Sequence, residues 1–265
     1  MQSIWTVPGR DGVEVQNSFL NVTVLGEIWE THAELEHLGD GTYGTVKKAK
    51  LGSKLFAVKL FKRTDEHINL TGAGAEIALS HVMSHPAIVK FEGAYVSPVD
   101  HSIHMKLEYM DAGCLRDLLS FERPSLLQSA RVIRDVLSGL DYLHWIGVVH
   151  RDIKPENVLV SRAGAIKIEY GWPMGYGAKV DIWAVGIMAF EMVTGDVPYA
   201  DYTATQAMQA MCTQGRPQVD MSPLFSGILD RMLVANPVKR GTARSVLYVS
   251  INLSSPCPTS ALNTS

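Results

Sequence analysis

Residues 149–160, which read VHRDIKPENVLV, determine how the rest of the chain is interpreted. The stretch places a carboxylate at Asp152, an ammonium group at Lys154 and a carboxamide at Asn157, and an apolar run follows directly. The apolar run predicts a short buried strand, so the three polar side chains belong to the loop before it. A charged loop beside a strand explains any one of these residues. It does not explain the whole set at this spacing, so the spacing indicates a functional loop.

This loop resembles the catalytic loop of protein kinases. The resemblance implies that Asp152 accepts the proton of the substrate hydroxyl, Lys154 neutralises the transferred phosphoryl group, and Asn157 is a ligand of Mg²⁺. A lysine at the second position after Asp152 favours a serine/threonine kinase, because tyrosine kinases of the family commonly differ there. The family therefore implies ATP and Mg²⁺ as cofactors and a protein with Ser or Thr hydroxyl groups as substrate.

Two further stretches follow the order that the family requires. Residues 39–46, GDGTYGTV, resemble the glycine-rich loop, in which glycine lets backbone N–H groups approach phosphates. Alone, this pattern also fits an ordinary hairpin turn. Residues 56–59, FAVK, resemble the third strand of the family, whose lysine, here Lys59, contacts the α- and β-phosphates. The apolar spacing around Glu76 predicts a helix, and the resemblance pairs Glu76 with Lys59.

Residues 107–113, LEYMDAG, resemble the hinge of the family. By resemblance, Leu107 lies beside the adenine pocket, and the backbones of Glu108 and Met110 bond the edge of the base. Apolar side chains above and below the base complete such a site. The nucleotide-binding residues implied by the resemblance are Leu38, Gly39, Asp40, Gly41, Thr42, Tyr43, Gly44, Thr45, Val46, Ala57, Lys59, Glu76, Leu107, Glu108, Met110 and Leu159.

The predicted fold is α+β, with the two lobes of a protein kinase. The small lobe, about residues 31–107, contains three strands between Leu35 and Leu60, the Glu76 helix, and two more strands. The hinge is 108–113, the large lobe is 114–249, and ATP is expected to bind between the lobes. Residues 1–30 form an amino-terminal extension, and the Ser-, Pro- and Thr-rich residues 250–265 are expected to be largely disordered.

The large lobe is predicted to be mainly helical. From Ser129 to Trp145, apolar residues recur at steps of three and four, as in an amphipathic helix. Short strands are predicted at 158–160 and 166–168. Residues 181–186, DIWAVG, resemble the start of the central helix of this lobe, in which the aspartate caps the backbone of the catalytic loop. Residues 236–240, NPVKR, resemble the D-P-x-x-R element near the end of the domain.

One part of the family pattern is missing, and it is the activation segment. The D-F-G triplet, whose aspartate binds Mg²⁺, normally lies about eighteen positions after the catalytic aspartate. Here that position is Tyr170, and no aspartate lies between Asp152 and Asp181. The glutamate of the A-P-E triplet lies about twelve positions before the aspartate of the central helix, which is Glu169.

Two alignments remain open at this point. In the first, the chain passes directly from Ile168 to Glu169 as the A-P-E glutamate, which pairs with Arg240, and roughly 20 to 35 residues are missing between them. A skipped exon, a gene-model error and a deletion are equally compatible with this join. In the second, residues 169–171, EYG, are a degenerate D-F-G triplet, and Glu169 replaces the metal-binding aspartate. We favour the first alignment because it keeps both flanking registers. Either way, activity of this chain is in doubt, and the alternative is an ATP-binding scaffold related to pseudokinases.

The composition of the chain excludes several kinds of binding surface and a disulfide framework. The 265 residues carry a net charge of −3, which gives no basis for a nucleic-acid or anionic-membrane surface. The three cysteines, Cys114, Cys212 and Cys257, are too few and too widely spaced for a disulfide framework, so they are expected to be reduced thiols. No signal peptide or membrane span is evident, so we expect a cytoplasmic protein. The sequence around Asp181 resembles kinases of the mitogen-activated cascade and p21-activated type.

Overall fold

The computed structural model of the chain describes residues 36–41, 44–61, 70–96, 102–169, 172–173, 177–213, 216 and 221–254. They belong to two compact units that divide between Tyr109 and Met110, inside the predicted hinge. The α+β class is confirmed, because the first unit is built on a sheet and the second is mainly helical. The predicted extension 1–30 lies outside the described residues.

The first unit is a five-stranded antiparallel sheet with one described helix. Its strands pair in the order β1-β2-β3-β5-β4. β3 lies at the centre, between β2 and β5, and its buried side chains include Phe56, Val58 and Phe61. The elements are β1 (Glu36–Gly41), β2 (Gly44–Leu51), β3 (Lys54–Phe61), α1 (Leu70–Val82), β4 (Phe91–Val96) and β5 (Ile103–Glu108).

The buried core of the second unit lies mainly along the helices α3 (Leu126–Trp145) and α4 (Lys179–Thr194). Five residues predicted for the apolar face of α3, namely Val132, Ile133, Val136, Leu140 and Leu143, are all buried. Ser125 begins α3 with a capping box in which its hydroxyl accepts from the N–H of Gln128. The helices are α2 (Leu115–Phe121), α3 (Leu126–Trp145), α4 (Lys179–Thr194), α5 (Ala204–Thr213), α6 (Pro223–Met232) and α7 (Ala243–Ser254).

Short strands complete the second unit and carry the loop of Asp152. β7 pairs antiparallel with β8, and β6 pairs antiparallel with β9. The predicted strands at 158–160 and 166–168 are therefore confirmed. A single 3₁₀ turn, Pro155–Asn157, leads into β7. The strands are β6 (Val148–Val149), β7 (Val158–Val160), β8 (Ile166–Ile168) and β9 (Trp172–Pro173).

Two predicted boundaries are corrected. Residues 85–89 were assigned to the small lobe but belong to the second unit, because the N–H of Val89 donates to Ile168 O and the N–H of Ile168 donates to Ala87 O. The disordered tail was predicted from residue 250, whereas α7 continues to Ser254. Ile251 and Leu253 are compatible with a helix, and the first proline after it is Pro256. Residues 255–265 are outside the described part.

Candidate active site

The glycine-rich stretch forms the hairpin between β1 and β2. Gly41 pairs with Gly44 across it, while Thr42 and Tyr43 lie outside the described residues. A Cβ at Gly44 would lie 2.0 Å from the carbonyl oxygen of Leu60, so β3 approaches too closely for any side chain there. Asp40 accepts a hydrogen bond of 2.7 Å from the Thr45 hydroxyl, which ties the two strands together at the hairpin.

Lys59 and Glu76 form the predicted ion pair. Nζ of Lys59 lies 2.7 Å from Oε1 of Glu76, and the two side chains are only 13% and 9% exposed. Glu76 is placed by α1, and the hydroxyl of Ser80 one turn later donates to the carbonyl of Glu76. A charge pair with this little water around it is fixed in position, because separating it would leave a buried charge uncompensated. Lys59 is therefore oriented before any ligand arrives.

Leu107 and Glu108 end β5 at the edge of the first unit. Leu107 is buried and pairs with Ala57 of β3. The N–H of Glu108 donates to the carbonyl of Lys90. Met110, the first residue of the second unit, is buried, and its carbonyl accepts from the N–H of Gly113. The remaining predicted nucleotide contacts, Leu38, Gly39, Val46 and Leu159, lie on β1, β2 and β7.

Asp152 is held in the second unit by two neighbours from its own loop. Nζ of Lys154 lies 2.8 Å from Oδ2 of Asp152. The amide of Asn157 donates to the same oxygen at 2.8 Å and to the backbone carbonyl of Asp152 at 2.7 Å. Partial burial by itself raises the pKa of Asp152, but these hydrogen bonds outweigh it, so the pKa lies below its ordinary value of 3.8. The carboxylate is ionised at neutral pH and can accept a proton.

The first residues of this loop are fixed by α4. Asp181, which is fully buried, accepts from the N–H of His150 at 2.9 Å and from the N–H of Arg151 at 2.7 Å. Its Oδ2 also lies 2.8 Å from Nε2 of His144 on α3. Arg151 adopts a left-handed backbone with φ 68°, and these two hydrogen bonds hold it there. The predicted capping by Asp181 is confirmed.

Glu169 does not pair with Arg240, contrary to the alignment favoured from the sequence. The guanidinium of Arg240 donates to the carbonyls of Lys179, Val234 and Ala235, and it lies over the ring of Trp183. Burial lowers the pKa of Arg240, and no carboxylate offsets this effect. The carbonyls that face Arg240 satisfy its donors, so the site needs no glutamate.

The position of Glu169 instead agrees with the second alignment. Its N–H donates to the carbonyl of Asn157, so Glu169 follows β8 directly beside the catalytic loop. Two residues after Gly171, Pro173 already pairs with Val148 of β6. The chain therefore continues past Glu169 to a short strand paired with β6, as expected if residues 169–171 stand where the D-F-G triplet stands.

One cluster of charges next to the loop was not predicted. Arg116 on α2 binds Glu156 in the 3₁₀ turn and Glu191 on α4. A sequence signal existed, because Arg116 lies in the first turn of α2 and Glu191 in the last turn of α4, where the helix dipole disfavours each charge. A charge at the unfavourable end of a helix indicates a partner elsewhere in the fold.

Three further observations concern only the described part of the chain: metal-binding clusters, cysteines and membrane-spanning helices. Within it, no group of three or more His, Cys, Asp or Glu side chains could hold a metal ion. Cys114 and Cys212 are free thiols, while Cys257 lies outside the described residues. None of the helices described has both the length and the apolar composition to cross a membrane.

Comparison with known proteins finds serine/threonine-protein kinases that are similar to this chain. Serine/threonine-protein kinase ste20 of Emericella nidulans is 30% identical over 93% of this chain, and serine/threonine-protein kinase pakA of Talaromyces marneffei is 32% identical over 88%. Serine/threonine-protein kinase PAK mbt of Drosophila melanogaster is 29% identical over 85%. The chain spans 33%, 41% and 40% of the length of these proteins.

Two details of the comparisons concern the missing segment. The alignment with the Emericella protein runs over 286 residues, more than the 265 of this chain, so the relative carries residues that are absent here. The family model of the protein kinase domain matches residues 32–171 and 173–250, with its break at Trp172. The break falls after Gly171, at the first residue of β9, and is consistent with a missing segment there. Because this model matches most of the sequence, the chain belongs to the protein kinase family.

Proposed function

We propose that this chain binds ATP with Mg²⁺ and transfers the γ-phosphate to serine or threonine hydroxyls of a protein, at a rate far below that of a kinase with a complete activation segment. The arrangement around Asp152 supports the transfer. Its carboxylate is ionised, is aimed by Lys154 and Asn157, and stands on a loop fixed to a buried aspartate. The relatives, named as serine/threonine-protein kinases, support the choice of substrate hydroxyl.

In the proposed reaction, Asp152 accepts the proton of the substrate hydroxyl, and the hydroxyl oxygen bonds to the γ-phosphorus. The bond between that phosphorus and the β–γ bridging oxygen breaks, so that ADP leaves. Lys154, whose ammonium lies beside that carboxylate, offsets negative charge on the transferred group. Lys59 contacts the α- and β-phosphates, and its pair with Glu76 keeps the ammonium in place. The backbone N–H groups of the glycine hairpin approach the phosphates, because no side chain intervenes at Gly39.

The oxygen donors beside the loop fit Mg²⁺, which prefers one or two carboxylates together with phosphate oxygens. Both hydrogen bonds recorded for the Asn157 amide come from its nitrogen, so the nitrogen faces Asp152 and the side-chain oxygen is directed elsewhere. Glu169 follows β8 next to the backbone of Asn157. We assign these two residues as the metal ligands of the protein. Bound Mg²⁺ supplies charge neutralisation of the phosphates.

The slow rate follows from what the chain lacks. The segment between Gly171 and α4 is too short to contain the loop against which a substrate peptide extends in this family. Electrostatic groups lost from a preorganised site each cost about 10² to 10³ in rate. An ATP-binding scaffold is the second candidate, and the Lys59–Glu76 pair favours it, because that pair is complete in the part of the chain before the break. Free thiols at Cys114 and Cys212 are compatible with the cytoplasm in either case.

Nucleotide-dependent thermal shift together with radiolabel transfer to a basic protein tests the proposal. We expect ATP with Mg²⁺ to raise the melting temperature of the chain, Lys59→Met to abolish this shift, and Asp152→Asn to preserve it. Transfer should be slow in the unaltered chain and absent in Asp152→Asn, because proton acceptance matters only for chemistry. A thermal shift with no transfer would support the scaffold. No shift at all would contradict both functions.

A further inference from the structure

Arg116 carries the least expected contacts in the second unit. Its Nε donates to Oε1 of Glu156 at 2.7 Å, and its Nη1 and Nη2 donate to the two oxygens of Glu191. One guanidinium therefore joins three elements: α2, the 3₁₀ turn and α4. Arg116 offers a planar fork of donors, which suits two carboxylates at once better than a lysine ammonium does.

Helix stability does not account for these charges. Arg116 is the second residue of α2, and Glu191 lies three residues before the end of α4. The dipole of each helix disfavours the charge found there. Glu191 is also buried, with a side chain only 10% exposed, so its carboxylate requires a cation. The hydrogen bonds that Arg116 donates to Glu191 and Glu156 raise the pKa of Arg116, in agreement with a tight three-membered cluster.

The cluster reaches the catalytic loop through Glu156. Glu156 is the middle residue of the 3₁₀ turn, and the next residue is Asn157, whose amide holds the carboxylate of Asp152. The ion pair between Arg116 and Glu156, at 2.7 Å, holds this turn to α2. The end of the loop is thus tied to α4 through a side chain of α2.

α4 therefore holds the loop at two points. At its third residue, Asp181 binds the N–H groups that begin the loop, and ten residues later Glu191 holds the end of the loop through Arg116 and Glu156. At about 1.5 Å per residue these points lie about 15 Å apart along the helix. We infer that Arg116 is a positioning residue, which sets the orientation of Asn157 and, through it, that of Asp152 and of the side-chain oxygen assigned to Mg²⁺.

The most informative variants change Glu156, because Arg116 then continues to compensate the buried Glu191. Glu156→Ala removes the link to the loop, and Glu156→Gln keeps a neutral acceptor for Arg116. Arg244→Ala is the matched control, because Arg244 binds Asp141 between α7 and α3, on other elements of the same unit, and is 75% exposed. Circular dichroism establishes that each variant is folded.

The first measurement is the side-chain amide signal of Asn157 in ¹⁵N–¹H spectra, assigned by its loss in Asn157→Ala. We expect Glu156→Ala to move this pair of signals towards those of solvent-exposed asparagines, Glu156→Gln to move it less, and Arg244→Ala to leave it in place. Arg116→Lys should resemble Glu156→Gln. Unchanged Asn157 signals in folded Glu156→Ala would overturn the inference. If Glu156→Ala does not fold, Glu156→Gln and Arg116→Lys decide by the same signal.

The second measurement rests on the proposed function. We expect the Mg²⁺ concentration that gives half of the ATP-dependent thermal shift to rise about tenfold in Glu156→Ala, as for other residues that orient metal ligands. It should stay unchanged in Arg244→Ala. An unaltered Mg²⁺ requirement in Glu156→Ala would count against the inference. Absence of any ATP-dependent shift in the unaltered chain would contradict the proposed function alone, because the Asn157 signals are read without nucleotide.

Discussion

At the scale of single residues, Arg240 shows how a buried cation can be satisfied without a carboxylate. Its guanidinium is held by three backbone carbonyls and by the face of Trp183. Removing the side chain would leave these carbonyls without their donors. We expect Arg240→Ala to lower the free energy of unfolding by about 3 kcal/mol, since each buried group left unsatisfied costs about 1–3 kcal/mol. Urea unfolding measures this value.

A double-mutant cycle with Glu169→Ala then tests the alignment directly. Residues without a shared contact have additive effects, so we expect a coupling energy below about 0.5 kcal/mol between positions 169 and 240. A coupling of about 2 kcal/mol or more would restore the pairing of Glu169 with Arg240, and the first alignment with it.

His150 gives a residue-scale prediction about pH. Burial lowers its pKa below the ordinary value of 6.5, and its Nε2 has no hydrogen-bond partner in the described structure. Below pH 6.5 the unfolded chain therefore binds a proton that the folded chain does not, and the folded state loses stability as the pH falls towards the lower native pKa. The lowered pKa of Asp152 acts in a separate window, below its ordinary value of 3.8.

Urea midpoints at pH 7 and pH 5 measure this effect. In His150→Asn, the asparagine side chain keeps an acceptor near the position of Nδ1 but does not titrate. We therefore expect this variant to lose less stability between pH 7 and pH 5 than the unaltered chain does. His37→Asn, at an exposed histidine on β1, should lose as much as the unaltered chain. An equal loss in His150→Asn would show that His150 does not cause the pH dependence.

At the scale of elements, β9 lies at the point where the match to the family is interrupted. Pro173 pairs with Val148, and the family match breaks at Trp172. We expect insertion of the activation segment of the Emericella relative after Gly171 to raise the rate of phosphate transfer by about 10²-fold or more, because it restores a docking surface and charged groups. The same segment inserted after Ile168 should give no gain, because it separates Glu169 from Asn157.

The control for this insertion is a Gly/Ser linker of equal length after Gly171. It lengthens the chain without restoring the side chains, so it should leave the rate low. Equal rates for the two insertion sites would mean that the position of Glu169 beside Asn157 has no role in transfer.

Most helices and strands could be predicted from the local pattern of apolar residues in the sequence. The strands around Lys59 and the helix from Leu126 to Trp145 have clear periodicity, so their types and burial were predictable. The pairing of Glu169 was not, because two registers fit the same letters and only the fold decides which carbonyls face Arg240. The Arg116 cluster joins positions 116, 156 and 191, and such long-range contacts leave no spacing signal. The charges at the helix ends indicate that Arg116 and Glu191 need partners, but not which residues these are.

At the scale of the whole molecule, the chain passes between its two units three times, at Ser84–His85, Val89–Lys90 and Tyr109–Met110. Each unit has its own buried side chains, so we expect them to unfold in separate steps without nucleotide, with a calorimetric enthalpy larger than the van't Hoff enthalpy. ATP with Mg²⁺ should bring the two steps together if both units hold it. Scanning calorimetry checks this expectation, and Lys59→Met is the control in which the steps remain apart. A single two-state transition without nucleotide would contradict it.

The exchange of backbone hydrogen bonds between residues 87–89 and Ile168 has a consequence for dividing the protein into fragments. A fragment that begins at Met110 would keep β7 and β8 but lose residues 87–89, so the buried N–H and C=O of Ile168 would be left unpaired. Such a fragment should be insoluble alone and should recover when a peptide covering residues 85–89 is supplied with it. Any split-protein reporter built on this chain therefore has to keep that five-residue segment with the carboxyl-terminal half, through circular permutation or a duplicated copy.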